Sequence, residues 1–306
     1  MPPAMHPDEV DTSPAIVHHL LQSQFSYWVD LPVSPVASAG TDHALYRLGD
    51  DMLLRLPRIA AAAEQVHKEQ AYLPKLAPVL PLAIPEPLEL GEPDAHYPYP
   101  WSVYGWLEGE TMHDSLLANS KLTARKLAGF LYSLHHANSR GGPKPGAHNF
   151  FRGVPLQDRD SQTRDALQQL APILSAHTSH QLLAIWEKAL LLPRCKSKES
   201  CWIHGDLHPG NLLIDEGALW AVIDFGGLAV ADPACDLIIA WNFFSATIRQ
   251  QFRAMLRTDD ATWERGRAWA LSTAAIALPY YQHSNPTLAA SARYTLQAVL
   301  QDEADA

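Results

Sequence analysis

The sequence predicts an α+β fold that combines a small antiparallel sheet with a longer, mainly helical part. Residues 43–48 and 52–56 are two β-type runs on either side of the turn residues Gly49-Asp50, which indicates a hairpin. The 306 residues are enough for one large domain or two lobes with a sizeable buried core. Apolar side chains recur at helical spacing over residues 122–137, 161–192, 262–279 and 287–301.

The first hundred residues supply further elements. Apolar residues at near-helical spacing predict a helix over residues 15–27 and a second helix over 60–73. Pro74 should end or kink the second helix, because proline lacks the N–H that a helix needs to continue. Extended segments are expected at residues 88–90 and along the apolar run 100–107.

The composition argues against several classes of protein. Hydrophobic residues make up 47% of the chain and charged residues 18%, which fits an ordered globular protein. The net charge of −10 disfavours nucleic-acid binding through a basic face, and no apolar run is long enough to span a membrane. Three cysteines and an N-terminus without an apolar core indicate a cytoplasmic protein. The oligomeric state is left open.

The most informative stretch runs from Cys201 to Asn211 and is followed by Asp224-Phe225-Gly226. Two short apolar strands are expected between these motifs, joined by a turn at Asp215-Glu216-Gly217. The hairpin would bring Asp206, Asn211 and Asp224 to one rim. Asp206 could accept a proton from an attacking hydroxyl, and Asn211 and Asp224 could hold Mg²⁺ on a nucleoside triphosphate. The alternative is a surface loop rich in His and Asp. The presence of all three residues in this order disfavours that alternative.

This order resembles that of protein kinases, in which a catalytic-loop Asp is followed five residues later by Asn and then by Asp-Phe-Gly. Gly205 stands where protein kinases usually carry Arg, and Leu207-His208-Pro209-Gly210-Asn211 follows. The variant resembles the aminoglycoside phosphotransferase and choline kinase branch of small-molecule kinases. The resemblance implies a protein-kinase-like two-lobed fold, with a nucleotide-binding lobe over residues 1–106 and a catalytic, acceptor-binding lobe over 107–306. The first lobe would be a small antiparallel sheet with one helix, and the second mainly helical.

The resemblance also assigns phosphate contacts in the first lobe. Arg55 lies between two leucines on a predicted strand and occupies the position of the kinase phosphate-pairing Lys. The alternative for Arg55 is an ordinary solvent-facing side chain. Glu69 falls on the apolar face of the next helix, so it needs a partner, and Arg55 is the expected one. Ser38, Gly40 and Thr41 belong to a glycine-poor loop that would cover the phosphates.

The remaining assignments concern the nucleotide base and the catalytic loop. Tyr104 would precede the hinge between the lobes, and Gly105 and Leu107 would offer main-chain groups to the base. The alternative is an ordinary core strand. His204 and Asp236 are expected to support the catalytic loop without taking part in the chemistry.

Three further residues receive structural interpretations. Asp232 is expected to cap a helix. Glu64 lies four residues before Lys68, and this pair is expected to form a surface ion pair.

The function expected from the resemblance is transfer of the γ-phosphoryl group of ATP or GTP, with Mg²⁺, to a hydroxyl of a small molecule. An aminoglycoside is the first expectation for the acceptor. A metabolite of the choline, homoserine or sugar type is the alternative, followed by a macrolide-type antibiotic. A non-catalytic nucleotide-binding scaffold is a third hypothesis, which the intact motif disfavours.

A polycationic acceptor would need carboxylates in the cleft below Asp206. The C-terminal part offers candidate carboxylates at Asp158, Asp160, Asp165, Glu187, Asp259, Asp260 and Glu264. It also offers aromatic residues, most of which are expected in the core. These are Trp241, Phe243, Phe244, Trp263, Trp269, Tyr280 and Tyr281. Several aromatics in the cleft would instead favour a less polar acceptor.

Overall fold

A computed structural model describes residues 8–37, 42–112 and 117–304. The order of elements agrees with the predicted α+β class. The strands are β1 (Val33–Pro35), β2 (His43–Leu48), β3 (Met52–Pro57), β4 (Pro87–Gly91), β5 (Trp101–Gly105), β6 (Glu110–Thr111), β7 (Cys201–Ile203), β8 (Leu212–Asp215), β9 (Ala218–Val222) and β10 (Ala229–Ala231). The α-helices are α1 (Pro14–Gln24), α2 (Ala60–Leu76), α3 (Lys121–His136), α4 (Asp160–Leu170), α5 (Ala176–Leu190), α6 (Ile239–Asn242), α7 (Ala246–Leu256), α8 (Asp260–Tyr281) and α9 (Pro286–Ala304).

The N-terminal part is an antiparallel sheet of five strands in the order β1-β2-β3-β5-β4. The predicted hairpin forms β2 and β3, and it turns at Gly49, whose φ of +60° suits glycine. Alternate side chains of β2 are buried, as a half-buried strand requires. They pack with Leu20 and Leu21 of α1 into a separate small core. The first helix is therefore a cover for this sheet.

The second helix runs beyond the position at which it was predicted to stop. α2 continues to Leu76 with Pro74 inside its last turns. The proline removes one N–H, but so near the helix end it interrupts only the bond toward the carbonyl of Gln70. α2 contacts β3, β4 and β5, so it lies against the sheet. One face of this helix thereby reaches the region between the sheet and the helical part.

The C-terminal part is built around α8, which is buried on most sides. Trp269, Leu271 and Ala275 of α8 are fully buried in the large core, and α9 packs alongside. The helical region predicted over 161–192 is two helices, α4 and α5, with a break between them. The expected boundary between residues 106 and 107 falls in the segment that joins β5 to β6.

Two small sheets carry the predicted motifs at the edge of the helical part. β7 pairs with β10, and β8 pairs with both β6 and β9, all antiparallel. The β8–β9 hairpin turns at Glu216 and Gly217, both with positive φ, as the turn prediction requires. These pairings place the loop after β7 beside the loop after β9.

None of the helices in the described part of the chain combines the length and apolar character needed to cross a bilayer.

A buried ion pair fixes α8 to the segment after β10. Arg265 donates to both carboxylate oxygens of Asp232, at 2.7 and 3.1 Å, and both side chains are buried. Asp232 also accepts a hydrogen bond from the backbone N–H of Ala234 at 3.0 Å, so the predicted cap is present. The buried Asp232 carboxylate therefore has both a cation and a backbone N–H as partners.

Replacement of Arg265 should destabilise the fold strongly, because it leaves the buried Asp232 carboxylate without its cation. We expect Arg265→Met to lower the free energy of unfolding by about 3–5 kcal/mol in urea denaturation. Lys196→Met is the control, because the Lys196–Glu199 pair is exposed and such pairs contribute about 0–1 kcal/mol. Equal effects of the two substitutions would contradict a role for burial.

Candidate active site

A cavity of about 1140 Å³ lies between the five-stranded sheet and the helical part. Its lining includes side chains that the sequence places far apart in the chain. Arg55 comes from β3, Tyr104 from β5, and Asp206, Asn211 and Asp224 from the two loops of the small sheets. The structure thus brings the five principal predicted residues into one space.

Backbone hydrogen bonds connect the two loops that carry the predicted chemistry. Asn211 donates its side-chain N–H to the carbonyl of Asp206 at 2.9 Å, and its own carbonyl accepts from the amide of Ile223 at 2.9 Å. Ile223 immediately precedes Asp224. The spacing of Asp206, Asn211 and Asp224 is therefore fixed by the main chain as well as by the strands.

Asp236 is fully buried beneath the loop that carries Asp206. Its carboxylate accepts hydrogen bonds from the amides of His204 and Gly205, at 3.0 and 2.8 Å, and lies 3.0 Å from His135 Nε2. A charged acceptor makes such bonds stronger than neutral ones. Asp236 therefore holds the backbone of this loop from below, which is the supporting contact expected from the sequence.

His204 is the second residue expected to support the loop, and its ring bridges two segments. Its Nε2 lies 3.0 Å from the carbonyl of Ile223, which requires Nε2 to donate. Its Nδ1 accepts from the amide of Asp206 at 3.2 Å. These partners match the tautomer that carries its proton on Nε2. The ring also packs against Phe225, with centroids 4.7 Å apart.

Glycine at position 205 is a steric requirement of this loop. Gly205 has φ +83°, and a Cβ there would lie 2.4 Å from the carbonyl oxygen of Gly227. The position that carries Arg in most protein kinases therefore has no room for a side chain in this protein. The close approach holds the catalytic loop against the Asp224-Phe225-Gly226 segment.

Arg55 is the central cation of the site and contacts both sides of the cavity. It donates to both Glu69 oxygens at 2.7 and 2.6 Å, and to Asp224 Oδ1 at 2.6 Å. Tyr104 donates its hydroxyl to Glu69 Oε2 in a short hydrogen bond. His43 accepts from Arg55 at 3.3 Å. The predicted Arg55–Glu69 pair thus forms, and it includes two further side chains.

This network sets the charge of its members. Burial would raise the pKa of the Asp224 carboxyl, but the Arg55 guanidinium outweighs it and holds that pKa well below its usual range. Burial and the same guanidinium lower the pKa of His43. Burial and the Glu69 carboxylate raise the pKa of the Tyr104 hydroxyl. At neutral pH, Asp224 is an anion, whereas His43 and Tyr104 are uncharged.

Asn211 and Asp224 fit a site for Mg²⁺, which prefers oxygen ligands. The described contacts of Asp224 all involve Oδ1, which accepts from Arg55 and from the amide of Gly226. The Asn211 side chain uses only its N–H in the contacts described. Asp224 Oδ2 and Asn211 Oδ1 therefore remain as oxygen donors in the same cavity.

The hinge differs in one respect from the prediction. The amide of Gly105 donates to the carbonyl of Glu86 at 2.9 Å, so this N–H is not available to a nucleotide base. Leu107 lines the cavity and makes no main-chain hydrogen bond to another described residue. The remaining expected nucleotide contacts, Ser38, Gly40 and Thr41, lie outside the described residues.

Lys68 corrects the predicted surface pair with Glu64. The Lys68 side chain is buried and donates to the carbonyls of Gly226 and His148, at 2.7 and 3.0 Å. Burial lowers the pKa of its ammonium group to about 8. The i, i+4 spacing with Glu64 gave no sign of these partners, because they lie 80 and 158 residues away. Lys68 ties α2 to the segment after Asp224.

Arg152 is a second residue that the sequence did not reveal. Its Nη2 lies 3.3 Å from Asp206 Oδ1, so the predicted proton acceptor has a cation beside it. In the sequence, Arg152 lies within residues 139–156, a connector rich in Gly and Pro, and such a composition does not predict where a side chain points.

Most of the residues that the sequence suggested for binding the acceptor do not line the described cavity. The described cavity lining contains Tyr280 and Tyr281 from the set of aromatics, whereas the others are buried in the core, as most were expected to be. None of the seven candidate carboxylates belongs to that lining, namely Asp158, Asp160, Asp165, Glu187, Asp259, Asp260 and Glu264.

Comparisons with known proteins agree with this arrangement. The uncharacterized protein YcbJ of Bacillus subtilis strain 168 is 26% identical over 235 residues, which cover 72% of this chain and 71% of that protein. An aminoglycoside 3'-phosphotransferase of Escherichia coli is 32% identical over 117 residues, or 38% of this chain and 41% of that enzyme.

Solved structures show the same fold at lower identity. The GDP complex of aminoglycoside 2'-phosphotransferase IIIa superposes with a TM-score of 0.75 at 18% identity, covering 95% of this chain and 100% of that one. A macrolide 2'-phosphotransferase from Brachybacterium faecium gives 0.59 at 23% identity, covering 92% and 97%. The sequence profile described as the phosphotransferase enzyme family matches residues 34–269. The chain therefore belongs to the phosphotransferase enzyme family, and it is a phosphotransferase with the kinase-like two-lobed fold of these structures.

Proposed function

We propose that this protein transfers the γ-phosphoryl group of ATP or GTP to a hydroxyl group of a small molecule. The observation that carries the proposal is the convergence of Asp206, Asn211 and Asp224 in one cavity with the buried Arg55–Glu69 pair. Phosphoryl transfer depends mainly on positioning and charge stabilisation, and these side chains supply both. A non-catalytic scaffold would have no use for Asp206.

The nucleotide is proposed to lie on the sheet side of the cavity. Leu107 would offer its main chain to the base, and Arg55 would contact the phosphates. The solved relative that contains GDP supports a nucleotide in this fold. The preference for ATP or GTP would be determined by residues of the hinge. The Tyr104 side chain there is hydrogen-bonded to Glu69.

Mg²⁺, held by Asn211 and Asp224, would neutralise charge on the transferring phosphoryl group when bound. Asp206 would accept the proton of the acceptor hydroxyl as that oxygen bonds to the γ-phosphorus. The bond between the γ-phosphorus and the bridging β,γ-oxygen breaks, and the nucleoside diphosphate leaves. The phosphates are also strong anions for Arg55, so nucleotide binding would weaken its bond to Asp224.

The related proteins suggest which acceptors to consider first. The Escherichia coli relative supports an aminoglycoside as the first candidate, and the Brachybacterium faecium structure supports a macrolide. A metabolite alcohol is the remaining candidate.

The three free cysteines suit a cytoplasmic enzyme. A division into lobes of residues 1–106 and 107–306 suits a nucleotide that binds between them.

Asp206→Asn should abolish phosphoryl transfer while leaving nucleotide binding nearly unchanged, because the amide cannot accept the proton. We expect turnover to fall by about 10²–10⁴-fold with a confirmed acceptor, measured as ADP or GDP release. Asp215→Asn, an exposed substitution in the β8–β9 turn, is the matched control. Turnover by Asp206→Asn at the wild-type rate would remove Asp206 from the mechanism.

Arg55 and Glu69 should act as one unit in nucleotide binding, because each loses its function when the other is absent. Calorimetry of Arg55→Ala, Glu69→Ala and the double variant should give a coupling of about 0.5–3 kcal/mol in nucleotide affinity. The Arg164–Glu187 pair, which is exposed and does not line the cavity, should give none. Additive effects of the Arg55 and Glu69 substitutions would exclude the pair from the site.

A further inference from the structure

The helical wall of the cavity is uncharged. Beyond Asp206, the cavity extends along α6, α8, α9 and the segment before α6, and no side chain described on this wall carries a formal charge. Small apolar and hydroxyl side chains predominate, with two tyrosines at the end of α8. The wall residues are Ile238, Asn242, Thr273, Ala274, Ala277, Tyr280, Tyr281, Leu288, Ser291, Ala292 and Thr295.

A polycationic acceptor would bind poorly against such a wall. Each ammonium group that leaves water needs a carboxylate or several good acceptors to replace its hydration. Two of the carboxylates expected to serve this purpose have partners elsewhere. Asp160 accepts from Arg164 and Trp186, and Asp259 caps α8 through Thr262. An apolar acceptor body would instead gain free energy from the same surface.

Arg152 is the arginine that lies beside Asp206. It contacts Asp206, the residue proposed to accept the proton, at a rather long 3.3 Å. It also lines the cavity with Phe150, at the edge of the uncharged wall. Its guanidinium therefore faces a space in which the described helical wall offers no anion.

The loop that carries Arg152 is held firmly. Phe150 and Phe151 have φ values of 53° and 55°, a conformation that residues other than glycine adopt rarely and that is often retained at functional sites. Asn149 is fully buried and donates to the carbonyls of Arg152 and Gly227. The guanidinium is thus presented from a defined backbone and not from a loose surface loop.

We propose that the acceptor is an alcohol with an apolar body and a single carboxylate, which Arg152 binds. This inference rests on the proposed function, since it concerns the acceptor of the same transfer. The carboxylate takes both guanidinium donors in a bidentate pair and replaces Asp206 as the partner of Arg152. Asp206 is then released to accept the hydroxyl proton as the new oxygen–phosphorus bond forms and the nucleoside diphosphate departs. Binding of the correct acceptor thereby frees the base.

The test uses alcohols that differ only in terminal charge. One series is 3-hydroxy-3-phenylpropanoate, its primary amide and 3-amino-1-phenylpropan-1-ol, and a second is the ω-hydroxy acids of four to eight carbons with their amides and amines. Kanamycin represents the polycations. The value of kcat/KM is measured by nucleoside diphosphate release, and phosphorylation is checked by mass spectrometry.

The acids should exceed the amines by about 10- to 100-fold in kcat/KM, because a charge-assisted pair is made only by the acids. Arg152→Glu should reverse this order, and Arg152→Lys should retain part of it. Arg140→Glu, an exposed substitution on the same connector, should leave the order unchanged. Kanamycin should be a poor acceptor.

Three results would overturn the inference. One is a wild-type preference for kanamycin or for the amines. Another is an equal loss with all acceptors in Arg152→Glu, which would place Arg152 on the phosphoryl group. The third is absence of turnover with every acid although nucleotide and Mg²⁺ bind, which would refute the acceptor class and leave the proposed function standing. If the nucleotide itself fails to bind in calorimetry, the proposed function fails first.

Discussion

The Arg55 guanidinium connects three parts of the molecule that are separate in the sequence. Its strand belongs to the sheet, Glu69 belongs to α2, and Asp224 follows the β8–β9 hairpin. Glu69 is buried and Arg55 nearly so, and such charges are stable only when they are paired and hydrogen-bonded. The position of each member of the network therefore constrains the others. Tyr104 completes the set by binding Glu69 from the neighbouring strand. The relation between sheet and hairpin, and hence the shape of the cavity, depends on this interaction.

The same interaction sets the charge of Asp224, which is a carboxylate held by Arg55. In the proposed mechanism, the phosphates would compete for Arg55, and Asn211 and Asp224 would hold Mg²⁺. Arg152 contacts Asp206 as Arg55 contacts Asp224. In the proposed mechanism, an acceptor anion would replace Asp206 at Arg152, so each of the two carboxylates is paired with an arginine that a substrate anion could bind.

The sequence predicted the parts of the site that are specified locally. Asp206, Asn211 and Asp224 lie within one hairpin unit, so spacing and turn residues were sufficient to bring them together. Glu69 could be found because a carboxylate on an apolar helix face requires a partner. The order of helices and strands followed from periodicity, with errors at the ends, as in the extension of α2 through Pro74.

Contacts between distant segments were not predictable. Lys68 and Arg152 find their partners across 80 and 54 residues, and a one-dimensional pattern does not encode that approach. Gly105 was expected to offer main-chain groups to the base, yet its amide donates to the Glu86 carbonyl. The acceptor wall is harder still, because small and hydroxyl side chains on α8 and α9 have no motif. Its character became visible only when the fold assembled these residues on one surface.

The proposed mechanism requires that Asn211 and Asp224 hold the metal of a bound nucleotide. Mn²⁺ can replace Mg²⁺ and be followed by electron paramagnetic resonance during titration with a non-hydrolysable ATP or GTP analogue. We expect a protein-bound Mn²⁺ signal that requires nucleotide, disappears in Asp224→Asn and in Asn211→Leu, and persists in Asp215→Asn. An undiminished signal in Asp224→Asn would show that Asp224 does not hold the metal.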